Sequence, residues 1–148
     1  MVFFSLPALL GFVLLSVGNP AYSETISSSS FSDCTNAVAL DVGEKNMLVA
    51  PRGEELVGLI NVATTLSSVP QKDKFCRIYA TAQALAKRHH QLDTARKLGS
   101  INIIIAVIDN MDEYGRPNYA GMHRIGNITF SYRDNSLEAI GGELVLAP

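Results

Sequence analysis

The chain has 148 residues, of which 47% are hydrophobic and 18% charged, and its formal net charge is −2. That length supports one domain with its own core, and the near-neutral balance gives no electrostatic support for a nucleic-acid partner. The only cysteines, Cys34 and Cys76, stand far from the C-x-x-C spacing of a redox or zinc pair.

Residues 1–23 contain no charged side chain. The apolar run from Val2 to Val17 ends in Ala21-Tyr22-Ser23, with small residues three and one before a cut at Glu24. This reads as a secretory signal peptide. No Lys or Arg opens the run, and Pro7 and Gly11 interrupt it, so an uncleaved anchor is the competing reading. The run is nevertheless shorter than the roughly 20 apolar residues a spanning helix needs. The residues before Cys34 are Ser30-Phe31-Ser32-Asp33, which is not a lipobox. The expected organisation is a signal peptide over 1–23, a flexible Ser-rich tether over 24–33, and one domain over 34–148. Export to the periplasm or outside the cell brings an oxidising compartment and predicts a Cys34–Cys76 disulfide. It would close a loop of about 43 residues, for roughly 4 kcal/mol in the chain-entropy model.

Residues 34–42 leave two readings open. Asp33 or Thr35 could cap a short helix stopped by Gly43, or Val38, Leu40 and Val42 could alternate along a strand. Pro51 suits the first turn of a helix, with Glu54 and Glu55 at the positive end of its dipole. Leu56, Leu59, Ile60, Ala63 and Leu66 then recur at helical spacing. The segment Ser67–Pro70 ends this first predicted helix. A second helix runs from a cap at Asp73 to a stop at Gly99, with Phe75, Ile78, Tyr79, Ala82, Leu85, Ala86, His89 and Leu92 in one stripe. Lys87, Arg88, Arg96 and Lys97 fall in its second half. Ile101–Ile108 is β-branched and almost wholly apolar, as in a strand covered on both faces or central in its sheet. Asn127–Arg133 alternates like a half-buried strand, with Ile128, Phe130 and Tyr132 on one side. After a turn at 134–136, one or two short strands flank Gly141-Gly142. The predicted fold class is α+β: two helices packed on one face of a small mixed or antiparallel sheet, in a single domain after the signal peptide.

The candidate site is the long loop from Asp109 to Arg124, because structureless connections of this length are uncommon unless functional. Arg116 and Arg124 could clamp an anion through paired N–H donors. Tyr114 and Tyr119 could stack on a ring or sugar, and His123 completes the predicted ligand set. Asp109, Asp112 and Glu113 do not match a calcium loop, since Met111 stands where an oxygen is needed. His89 and His90 with Asp93 form the only metal-like cluster, but lack the H-E-x-x-H arrangement; no metal and no cofactor is expected. Nucleophile elbows, S-x-x-K and phosphate-binding glycine motifs are missing. Asn127-Ile128-Thr129 is an N-glycosylation sequon. The leading functional expectation is an exported, non-enzymatic binding module acting through 109–124 on a partner protein or a small polar or anionic ligand. It has no nucleic-acid partner and no stable membrane anchor after cleavage. One alternative is a small secreted hydrolase using His123 as base, oriented by Asp112 or Glu113. Another is a structural subunit of an envelope or secretion assembly, adding the strand edge at Leu144–Leu146 to a neighbouring sheet.

Overall fold

A computed structural model describes residues 22–26, 33–92, 99–133 and 136–146. The predicted signal peptide up to residue 21, and residues 27–32 of the predicted tether, lie outside them. The strands in chain order are β1 (Tyr22–Ile26), β2 (Met47–Arg52), β3 (Glu55–Asn61), β4 (Ser100–Val107), β5 (His123–Arg133) and β6 (Ser136–Leu146). One α-helix among the described residues, α1 (Gln71–Leu92), links β3 to β4. The six strands form one sheet in the order β1-β6-β5-β4-β3-β2. The β3–β4 pair is parallel and every other pair is antiparallel.

This corrects the expected architecture. The described residues are mostly sheet with one α-helix, rather than two helices on a small sheet. The first predicted helix is instead the end of β2, a two-residue turn at Gly53-Glu54, and β3. The run Leu56-Val57-Gly58-Leu59-Ile60 contains both a helical subset and an alternating one, and alternation wins. Leu56, Gly58 and Ile60 are buried on one side, while Val57 and Leu59 are half-buried on the other. β-branched Val57, Ile60 and Val62 favour the extended chain, and Gly58 would weaken a helix interior. Pro51 lies in edge strand β2, where a missing N–H is tolerated.

Helix α1 does form where its stripe predicts it, starting two residues before Asp73, which sits in the first turn. Its predicted continuation over 93–98 lies outside the described residues. Ile78, Ala82, Leu85 and Ala86 are buried and meet Ile101, Ile103, Ile105, Ile128 and Phe130 from β4 and β5. The other side of α1 is covered by residues 33–43, which adopt neither the helix nor the strand read from their sequence. They are held to the helix by three kinds of bond. Cys34 and Cys76 form a disulfide. The Arg77 guanidinium donates to the carbonyls of Val38 at 3.0 Å and Ala39 at 3.3 Å. The Leu40 N–H donates to Thr81 Oγ1 at 2.8 Å.

Strand β4 is central, between β3 and β5. Where β3 and β4 end, the buried Asn61 amide completes the ladder. Its Oδ1 accepts the Ile108 N–H at 2.9 Å and the Ala63 N–H at 3.2 Å. Its Nδ2 donates to the Ile108 carbonyl at 3.2 Å and to Asn46 Oδ1 at 2.9 Å. The tail of the chain is one long strand, β6, in place of one or two short ones. Gly142 does not break it but permits it: at φ 146°, a Cβ there would sit 2.1 Å from the Asn127 carbonyl oxygen. No element of the described residues covers the second face of the sheet, where Leu48 is exposed.

Two outcomes follow from this packing. Removing either cysteine should lower Tm by roughly 10–15 °C under oxidising conditions, toward the value of the reduced wild type, as expected for losing about 4 kcal/mol; an unchanged Tm would deny the bridge a stabilising role. Asn61→Ala orphans the Ile108 N–H and carbonyl and should cost about 3 kcal/mol, on the order of 10 °C in Tm, measured by thermal unfolding.

Candidate functional site

Because Asn61 holds Ile108 by both backbone groups, the chain leaves the sheet at Asp109 from a fixed base. Residues 109–122 are not an open loop. Met111 and Pro117 form an antiparallel bridge, and the Asn118 N–H donates to the Asn110 carbonyl at 2.8 Å. Asp112 organises the tip. Its Oδ1 accepts the N–H groups of Tyr114 at 2.9 Å and Arg116 at 2.8 Å. Its Oδ2 accepts Arg116 Nε at 2.9 Å. Backbone bonds from Asp112 N–H to the Arg116 carbonyl (2.7 Å) and from Gly115 N–H to the Asp112 carbonyl (3.0 Å) close the turn, with Gly115 at φ 75°. The Arg116 guanidinium also lies 5.0 Å from the centre of the Tyr114 ring, within cation–π range. A short 3-10 turn, Tyr119–Gly121, follows, its first N–H groups satisfied in part by Asn118 Oδ1 accepting from Ala120 at 3.1 Å.

The predicted ligand residues are therefore not brought together. Arg116 is engaged by Asp112 and Tyr114. Arg124 belongs to β5, where its guanidinium donates to Asn127 Oδ1 at 2.7 Å. That bond extends a polar ladder on the uncovered sheet face, in which Asn127 Nδ2 donates to Asn102 Oδ1 at 3.0 Å and Thr129 Oγ1 donates to the same atom at 3.3 Å. The sequon nitrogen is thus engaged in a half-buried network. His123 opens β5 opposite Val107 and has no hydrogen bond to a carboxylate among the described residues, while both Asp112 oxygens are occupied. The dyad required of a hydrolase is not assembled. Among the described residues no three His, Cys, Asp or Glu side chains gather around a point that could hold a metal. Asp93, the third member of the predicted cluster, lies outside them, and His90 stacks on Tyr132 at 4.5 Å between ring centres. The predicted free edge at Leu144–Leu146 pairs with β1. A wide groove of about 790 Å³ runs over the disulfide between residues 33–38 and the start of α1, but Arg77 there is committed to backbone carbonyls.

Beside its polar groups the hairpin exposes several large apolar side chains. Tyr114 is 66% accessible, and Met111, Tyr119 and Met122 are 39%, 41% and 39% accessible. Four of the seven exposed large hydrophobic side chains among the described residues lie in this one excursion. Sequence reasoning picked the segment and both tyrosines but passed over the two methionines, which flank the aromatic pair at Met111 and Met122. It also missed Asn61, whose signal is a lone amide inside the apolar run Ile60-Asn61-Val62. No protein family, curated protein or solved structure matches the chain.

The turn makes a testable claim about Asp112. Two backbone N–H groups, Arg116 first, and the Arg116 guanidinium hold its carboxyl below the ordinary value of 3.8. A lowered folded-state pKa means that these bonds are fully present above 3.8 and are lost only as the pH falls through the lower, folded value. Asp112→Asn keeps an oxygen for the two amides and should preserve their hydrogen-exchange protection; Asp112→Ala should speed exchange at Tyr114 and Arg116 roughly tenfold. Equal exchange in all three proteins would show that the carboxylate does not organise the turn.

Proposed function

We propose that the protein is an exported, non-enzymatic docking module that presents the 109–122 hairpin to a partner protein. The observation that carries this reading is the exposure of Met111, Tyr114, Tyr119 and Met122 along one short excursion whose turn is fixed by the Asp112–Arg116 pair. Tyrosine, methionine and arginine are enriched at protein interfaces. Anchors of this kind contribute most when they are held rigid before contact. The Asp112–Arg116 turn supplies that rigidity and, by occupying Arg116, leaves the arginine pair ill-suited to clamping an anion. Export is supported by the uncharged apolar leader in the sequence and fits the Cys34–Cys76 bridge. No helix among the described residues is long and apolar enough to cross a membrane.

The partner can be sought by placing a photoreactive phenylalanine analogue at Tyr114 or Tyr119 in producing cells. Glu54, exposed in the β2–β3 turn at the opposite end of the sheet, serves as the control position. One common adduct from both tyrosine positions, absent from the control and lost when Met111 and Met122 are changed to Glu, is the expected result. Identical adducts at all three positions, or none at the tyrosines, would remove the support for this reading.

A further inference from the structure

A second site lies below the hairpin, at the end of the sheet where the core opens between α1 and the strands. It is a cavity of about 400 Å³ lined by Leu66, Val107, Ile125, Val145 and Leu146, with Lys74 and His123 as the polar side chains among the described residues of its wall. Its size falls within the roughly 300–1,000 Å³ typical of small-molecule sites, which are apolar cavities with a few placed polar groups. Among the described residues no acidic side chain lines it.

Lys74 is unusual in its position. It is half-buried and lies in the first turn of α1, where the helix dipole disfavours a cation. Neither it nor His123 forms an ion pair or side-chain hydrogen bond with another described residue. An anion at the cavity mouth would relieve both burdens on Lys74, meeting its charge and the positive end of the helix together. His123 adds an N–H donor, which imidazole keeps in either protonation state. A single ammonium beside an aliphatic chamber suits one negative charge carried on a hydrocarbon chain.

We propose that this cavity binds a free aliphatic monocarboxylate, its chain among Leu66, Val107, Ile125, Val145 and Leu146 and its carboxylate at Lys74 and His123. The site is separate from the hairpin tip, so it stands or falls independently of the docking reading. Calorimetric titration of the oxidised full chain with linear carboxylates of six to twelve carbons, kept below their micellar concentrations, tests it against the matching alcohols and alkylammonium ions.

Saturable binding should tighten about three- to fourfold per added methylene until the cavity is full. The carboxylate should bind more tightly than the alcohol, and the alkylammonium ion should bind weakest. Lys74→Met should abolish the preference for carboxylate over alcohol while alcohol binding persists, and Lys74→Arg should retain it. Ile125→Trp, which fills the chamber, should weaken both ligands. The persistence of alcohol binding in Lys74→Met serves as the check that the variant is folded. No saturable binding, no dependence on chain length, or equal affinity for carboxylate and alcohol in the wild type would overturn the proposal.

Discussion

One buried amide decides how this chain leaves its sheet. A parallel pair of strands must end somewhere, and its last N–H and carbonyl need partners that water cannot supply in the interior. Asn61 provides them from a side chain: it takes both backbone groups of Ile108 and so acts as one more rung between β3 and β4. The same side chain reaches Asn46, whose own amide donates to the Val42 carbonyl at 2.7 Å. The segment that covers α1, the end of the central pair and the base of the hairpin therefore meet at one residue. Exposed ion pairs such as Arg88–Glu44, at 3.0 Å, contribute about 0–1 kcal/mol at most by comparison.

The parts of this arrangement legible in the sequence are those with a single consistent period. Helix α1 shows a stripe that no strand could bury, and the run Ile101–Ile108 offers β-branched residues with no helical gap. The disulfide also followed from compartment and count. Strand β3 was not legible, because five apolar residues in a row satisfy a period of 3.6 as well as a period of 2; which face is buried depends on β4, about forty residues later. Strand β5 was read short for a different reason. His123 and Arg124 belong to it, but Gly126 interrupts the visible alternation, and its value appears only against β6: a Cβ there would lie 2.1 Å from the Glu143 carbonyl oxygen.

The candidate site shows how local pairing changes what a set of residues can do. Counted one by one, the charges of 109–124 look available to an anion or a metal. In three dimensions Asp112 consumes Arg116 and two amides, and β5 withdraws His123 and Arg124 to different surfaces. Among the residues left outward are four that a charge count ignores, Met111, Tyr114, Tyr119 and Met122. Five bonds to a single aspartate side chain and its backbone hold the tip, so a partner of the kind proposed would meet a backbone with little conformational entropy left to lose.

The parallel seam also dictates an order of events during folding. The β2–β3 and β5–β6 hairpins close over a few residues and can form early, whereas β3 and β4 can join only after the whole crossover, including α1, has been laid across them. Until then the segment Ile101–Val107 has no lawful partner, although it is the most β-prone and least charged stretch of the described chain, the composition that favours cross-β stacking between molecules. Asn102 is the one polar interruption in its first five residues. A copy arrested before the helix docks would therefore offer its neighbours a nearly finished zipper, and the aggregation hazard of this protein is concentrated in the strand that later becomes its best-protected.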